Sequence, residues 1–158
     1  MGDHVVRRIS AERTHALRLR VLRPGAPPDS AVFPGDDDPR GFHLGAFADA
    51  SDLASVPVGI ASVHAASHPE LGAGFRLRGM AVAPDRRRLG IGAALVAAAL
   101  DGLRNAARDP SERILWCNAR TAARSFYASM GFEARDDVFE ISGIGPHVLM
   151  WRPICNDE

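Results

Sequence analysis

Lysine is absent from this sequence, because all 19 of its basic residues are arginine. Its absence excludes sites that need a lysine amine, namely Schiff-base sites, phosphate loops of the Walker type and Ser-Lys nucleophile pairs. Cysteine is scarce as well: the two cysteines, Cys117 and Cys155, lie far apart and form no CxxC motif. No disulfide framework is therefore predicted, and a reducing cytoplasm is the simplest expected location.

The sequence also lacks an excess of charge, since its formal net charge is zero at pH 7. No overall field draws the chain to nucleic acid or to an acidic membrane, so any anion site must be local. Apolar runs approaching the roughly 18 residues of a membrane span are missing, and the N-terminal stretch MGDHVVRRIS has no apolar h-region. We expect a chain that is neither exported nor membrane-spanning and that forms a single domain over 1–158.

Hydrophobic periodicity predicts an α/β fold built on a mixed, mostly antiparallel central sheet flanked by helices. Breakers and aspartates predict irregular structure over 24–40, and Gly131 suits the residue that follows a helix. The first helix would begin after Ser10 as its N-cap. Strands are expected over 3–9, 42–49, 56–66, 75–82, 113–117, 132–142 and 147–153, and helices over 10–22, from Leu89 to Leu103 and over 121–130.

The stretch APDRRRLGIGAALVAAAL, residues 83–100, sets three arginines and two glycines at the start of a predicted helix. A helix N-terminus carries free N–H groups and partial positive charge, so an anion such as a pyrophosphate can bind there. The stretch is not a Walker loop, and Leu95 stands where a Rossmann motif needs its third glycine. The alternative is that Gly90 and Gly92 only permit close packing while the arginines face solvent.

The motif R-x-x-G-x-G, formed by Arg87, Gly90 and Gly92, follows GMAVAP and precedes RILWCNAR and SFYASMGF. This combination resembles the GNAT family of N-acetyltransferases, most specifically over 75–132. The resemblance implies acetyl transfer from acetyl-coenzyme A to an amine, on a small molecule or a protein N-terminus, with a homodimer left open. Its implied cofactor-binding residues are Met80, Ala81, Val82, Arg87, Arg88, Leu89, Gly90, Ile91, Gly92, Ala93 and Asn118.

The resemblance also implies that Tyr127 protonates the departing coenzyme A thiolate. The alternative is that this single tyrosine packs on the core beside Phe126. Arg120 occupies the position of an asparagine found in many relatives, with Asn118 two residues earlier. Arg76 falls near the position of a glutamate base in histone-acetylating relatives, so no direct glutamate base is expected there.

An amine must lose a proton before it attacks a thioester, so the site needs a proton acceptor. His147 is the first candidate because imidazole titrates near neutrality, and His43, Glu140 or a water chain are the others. The alternative for His147 is a strand histidine hydrogen-bonded to the backbone.

Other residue groups carry weaker signals. His64 and His68 flank a strand end rather than share a helix face, so no metal site is predicted. Cys117, in an apolar strand, is expected to be buried rather than nucleophilic. The acidic run Asp36, Asp37 and Asp38 is either solvated or lines the acceptor cleft and attracts a cationic amine. The rival to an enzyme is an acyl-coenzyme A sensor or interaction module of the same fold.

Overall fold

The computed structural model describes residues 4–106, 109 and 111–155, and a seven-stranded sheet runs through them. Along the sheet the strand order is β1-β2-β3-β4-β5-β7-β6, and only β4 and β5 pair in parallel. The predicted mixed, mostly antiparallel sheet is confirmed, with small shifts in strand ends. The strands are β1 (Val5–Ile9), β2 (Phe42–Phe47), β3 (Gly59–Ala65), β4 (Gly74–Val82), β5 (Ile114–Arg120), β6 (Glu133–Ile141) and β7 (Gly145–Pro153).

Three helical segments flank the sheet. The first is a 3-10 turn (Ala11–Thr14), a short α1 (His15–Leu17) and a π turn (Arg18–Leu22). It follows Ser10 as predicted, although the Ser10 side chain makes no capping hydrogen bond. The other two are α2 (Ile91–Ala106) and α3 (Arg124–Ser129). The predicted start of α2 at Leu89 was wrong, because Gly90 has a φ of +82° and cannot continue a right-handed helix.

The main core lies between α2 and one face of the sheet. Helix α2 buries Leu95, Val96 and Leu103 completely, and these pack in one cluster with Phe75 and Leu77 of β4. The spacing of these residues along α2 matches one helical face, which is why the sequence forms an amphipathic helix here. Burial of this face holds the N-terminus of α2 beside the end of β4.

The opposite face of the sheet is covered by the first helical segment. Leu17 packs with Ile60, Ala81 and Ala83 in a second, smaller core cluster. The π turn directs Arg18 inward, so that none of its side chain is exposed. On this side of the sheet the buried side chains therefore include a charged one, the guanidinium of Arg18.

Strands β4 and β5 pair over three residues only, from Gly74 opposite Ile114 to Arg76 opposite Trp116. Beyond this point the strands diverge, and a cleft opens in the middle of the sheet. The register of β4 against β3 also shifts between Ile60 and Ser62, opposite Gly79, whose φ is +63°. This β-bulge takes residues of β4 out of regular pairing with β3 next to the cleft.

Candidate active site

A cleft of about 830 Å³ lies where β4 and β5 separate. It extends from the start of α2, past the bulge of β4, to the end of the first helical segment. Every predicted site residue lines it except Leu89, whose side chain is 51% exposed. The turn before α2 directs the Leu89 side chain to solvent, so the predicted cofactor contact of Leu89 stays a prediction for its backbone amide.

The N-terminal turn of α2 provides the anion-binding features that the sequence suggested. At Gly90 a Cβ atom would meet nothing within 4 Å, so close packing does not require a glycine here. The positive φ of Gly90 does favour glycine, and the space beside it is open to the cleft. At Gly92 a Cβ would lie 3.2 Å from the ring of Phe126 and 3.5 Å from Cε of Met80. The packing alternative thus accounts for Gly92 but not for Gly90.

The same turn carries groups that can bind an anion such as a pyrophosphate. The first N–H groups of α2 have no partner within the helix, and Arg87 and Arg88 are exposed beside them. Both arginines line the cleft. Charge-assisted hydrogen bonds from these groups are the ones that bind phosphates tightly.

Tyr127 reaches the cleft from α3 and also packs in the core, so the packing alternative accounts for its ring, while its role as a proton donor stays a prediction. Its ring makes edge-on contacts with Phe126, at 5.0 Å between centroids, and with Phe132, at 5.4 Å. Burial, with a smaller contribution from Cys117, raises the pKa of the Tyr127 phenol above its ordinary value. The phenol therefore stays protonated at neutral pH and can act as an acid but not as a phenolate base.

Cys117 is buried and unsuited to nucleophilic catalysis. Burial raises the pKa of its thiol to about 12, so the thiolate is negligible at neutral pH. The prediction of a buried, unreactive Cys117 agrees with this environment.

His147 lies on β7 and is 4% exposed at the cleft wall. Its Nδ1 is 2.8 Å from the carbonyl oxygen of Gly145, and because a carbonyl only accepts, Nδ1–H donates and Nε2 keeps a lone pair. The ring also stacks on Phe139 at 6.0 Å between centroids. His147 is thus a strand histidine hydrogen-bonded to the backbone, as the alternative interpretation predicted. That bond orients the imidazole and leaves Nε2 able to accept a proton.

The other two candidate bases are not supported. His43 has both ring nitrogens engaged, with Nδ1 2.7 Å from Oγ of Ser62 and Nε2 3.0 Å from the carbonyl oxygen of Asp36. Glu140 is exposed on β6 and does not line the cleft. Neither is placed to receive a proton from an amine in the cleft.

The acidic run has a structural role instead of lining the cleft. Asp36 accepts hydrogen bonds from both terminal nitrogens of Arg18, at 2.7 and 2.9 Å. Burial alone would raise the pKa of Asp36, but the bonds from Arg18 and from the amide of Phe33 hold that pKa below its ordinary value. Asp38 accepts from the amide of Ala65 at 2.8 Å. The hypothesis that the run lines the acceptor cleft was therefore wrong.

Three arginines of the cleft, Arg23, Arg76 and Arg78, were not predicted as site residues. Arg76 and Arg78 alternate with buried Leu77 on β4, a pattern that sequence alone ascribes to a solvent-facing strand. Asn118 also lines the cleft, while Arg120 donates to the carbonyl oxygen of Leu22 at 3.3 Å. That bond joins β5 to the first helical segment across the cleft.

His64 and His68 lie near the end of β3, in the portion of the chain that the structure describes. There, no three His, Cys, Asp or Glu side chains are placed to share an ion. His68 packs edge-on against Trp116 at 4.9 Å between centroids. Within the same residues, no helix is both long and apolar enough to cross a membrane.

Comparison with known proteins agrees with this geometry. Residues 46–134 match the acetyltransferase (GNAT) domain family. The Bacillus subtilis (strain 168) protein described as the uncharacterized N-acetyltransferase YitI is 32% identical over 151 residues, covering 94% of this chain and 95% of that protein.

Solved structures share the fold over nearly the whole chain. An aminoglycoside 6′-N-acetyltransferase complexed with coenzyme A superposes with a TM-score of 0.72 at 13% identity, covering 98% of this chain and 99% of that one. The ribosomal-protein-S18-alanine N-acetyltransferase of Escherichia coli gives 0.67 at 17% identity, covering 98% and 96%. The chain belongs to the GNAT family and is an N-acetyltransferase that moves an acetyl group to an amine acceptor.

Proposed function

We propose that acetyl transfer takes place in the cleft between β4 and β5, directly from acetyl-coenzyme A to the amine. The observation that carries this is the continuity of the cleft from the N-terminus of α2 to Tyr127 and His147. Acetyl-coenzyme A supplies an activated acetyl thioester. A covalent acetyl-enzyme is disfavoured, because Cys117 is protonated and the chain has no lysine.

The cofactor is held mainly by the backbone in this proposal. The amides of Ile91, Gly92 and Ala93, with Arg87 and Arg88, bind the pyrophosphate. Met80, Ala81 and Val82 of β4 offer backbone groups to the pantetheine arm. The bulge takes Met80 out of register with β3, so its amide is the best candidate to stabilise the thioester oxygen as negative charge develops.

Two side chains move protons. Nε2 of His147 accepts a proton from the incoming amine, because its lone pair is left free by the bond from Nδ1 to Gly145. The Tyr127 hydroxyl donates a proton to the departing thiolate, which would otherwise leave as a poorly stabilised anion in a half-buried site. Both residues line the cleft from the α3 and β7 side, opposite Met80.

Replacement of Tyr127 by Phe tests the proposal. The ring and its contacts with Phe126 and Phe132 are kept while the hydroxyl is lost. We expect kcat for thiol release to fall by about 10²-fold or more, as for a lost general acid. Stabilisation by acetyl-coenzyme A, measured by thermal unfolding, should stay unchanged, which separates lost chemistry from lost binding.

A wild-type kcat in the folded Tyr127→Phe variant would remove the phenol from the mechanism. An acyl-coenzyme A sensor would instead bind acetyl-coenzyme A without releasing thiol in the presence of any amine. The proposed acceptors are small amines and protein N-termini, so both classes belong in the assay.

A further inference from the structure

Three guanidinium groups surround the ring of Phe33 in the loop before β2. The Cζ atoms of Arg18, Arg78 and Arg23 lie 4.0, 4.7 and 4.8 Å from the ring centroid. Arg23, Arg78 and Phe33 all line the cleft. Stacking on one buried aromatic ring fixes these cations close to one another.

Of the three guanidinium groups, only that of Arg18 is paired with a carboxylate among the described residues. Asp36 is engaged by Arg18, and no Asp or Glu is found among the described residues that line the cleft. Within the described residues, the guanidinium groups of Arg23, Arg76 and Arg78 have no hydrogen bond or ion pair, and Nε of Arg76 is buried without a partner. Burial, followed by the neighbouring arginines, lowers the pKa of Arg78 to about 10. Arg23, Arg76 and Arg78 are half-buried, and removing charges from water without a partner is costly, so such a group points to an anionic ligand.

The arginines lie at the acceptor end of the cleft. Arg76 and Arg78 precede the bulge at Gly79 on β4, whereas the residues proposed to hold the cofactor follow it. A Cβ at Gly79 would lie 3.3 Å from Phe33, so the Phe33 cluster packs directly against the bulge. An amine that reaches the thioester from this side passes Arg78 and Arg23.

We infer that the acceptor is a small molecule carrying a carboxylate beside its amine, as in an amino acid, and that Arg78 and Arg23 bind the carboxylate. This inference rests on the proposed acetyl transfer in the cleft. The planar fork of arginine matches a carboxylate with two parallel hydrogen bonds. In the reaction His147 takes one proton from the ammonium, and the neutral amine forms an N–C bond with the thioester carbon. The C–S bond then breaks as Tyr127 protonates the thiolate. The second nitrogen proton, lost as the amide forms, returns to the Tyr127 oxygen, and His147 releases its proton to solvent. Polycationic amines are excluded from this site by like-charge repulsion.

The test compares matched acceptors in a thiol-release assay. A panel of L-amino acids, each paired with its α-amide, is assayed beside spermidine as the polycation. We expect the best amino acid to exceed its amide by about 10- to 100-fold in kcat/KM, the range of a charge-assisted hydrogen bond. Arg78→Met and Arg23→Met should remove this preference, and Arg78→Lys should restore part of it.

Arg20→Met is the matched control, because Arg20 is exposed on the helical segment that Arg23 directly follows and does not line the cleft. It should keep the wild-type preference. Acetyl-coenzyme A should stabilise all variants equally against heat, which shows that they fold and bind the donor.

A second readout does not depend on turnover. Thermal unfolding of the coenzyme A-saturated protein is measured with each amino acid and with its amide. If amino acids stabilise the wild type but not Arg78→Met, the carboxylate site is supported. If that result comes without any acetyl transfer, the proposed function is refuted while the carboxylate site stands. Equal use of amides or spermidine, or no preference in either readout, overturns the inference.

Discussion

Gly90→Ala separates cofactor binding at the α2 turn from a purely structural role of that turn. Gly90 has a φ of +82° and nothing within 4 Å of an added Cβ, so alanine meets no protein atom there. The cost to the fold is then the backbone strain of an L-residue in a left-handed conformation, about 1 kcal/mol. For a chain of this length, that cost lowers Tm by about 3 °C.

Gly72→Ala is the matched control for this strain. Gly72 has a φ of +88°, also has nothing within 4 Å of an added Cβ, and lies in the turn before β4, away from the cleft. Both variants should therefore lose similar stability in the absence of ligand. Only the methyl group at position 90 enters the space that the pyrophosphate is proposed to fill.

Acetyl-coenzyme A distinguishes the two variants in a thermal unfolding assay. At about 100 times its Kd, the ligand should stabilise the wild type and Gly72→Ala by about 2.7 kcal/mol, which raises Tm by about 5 to 10 °C. If Gly90→Ala weakens binding a hundredfold, the same concentration gives about 0.4 kcal/mol and a shift of about 1 °C. Equal ligand-induced shifts in both variants would refute the assignment of the α2 turn.

Three further outcomes are expected. His147→Gln should lower kcat/KM by about 10²-fold, with smaller losses for acceptors of lower amine pKa. Asp36→Asn should cost about 3 kcal/mol in denaturant unfolding, because Arg18 loses its buried partner. Because the pKa of Asp36 is lower in the folded state than in the unfolded state, ionised Asp36 stabilises the fold above about pH 4, and this stabilisation is lost as the pH falls below that value. Asp36→Asn should therefore lose less stability than the wild type on acidification. Iodoacetamide at neutral pH should label exposed Cys155 and spare Cys117, as peptide mass spectrometry would show.

The sheet and the glycine turn were predictable because their signals are local. Alternation or a short apolar run identified the strands, and the Arg-Gly motif needed only the strand before it and the helix after it. The two-residue error at the start of α2 arose because the helix period continues through Leu89, while the left-handed Gly90 interrupts the backbone.

The acceptor end was not predictable because its signals are tertiary. Arg18 turns inward only because Asp36 and Ser62, 18 and 44 residues away, receive its guanidinium. In sequence the three aspartates form one acidic group, yet the fold gives Asp36 and Asp38 separate structural partners. Likewise, no local pattern brings both Arg23 and Arg78 to the ring of Phe33.

The brief pairing of β4 with β5 divides the chemistry between two arms. Helix α2 packs on β2, β3 and β4, and α3 packs on β5 and β6, so Met80 belongs to one arm while Tyr127 and His147 belong to the other. Between the two arms, the described backbone pairing is limited to the three residues that end at Arg76. From there to Val82, β4 extends for about 20 Å without pairing to β5. Beyond Arg76 the arms are held together by side chains of the shared core, to which Leu95 of α2 and Tyr127 of α3 both belong. Core packing therefore sets the distance between the residues proposed to hold the cofactor and those proposed to move protons.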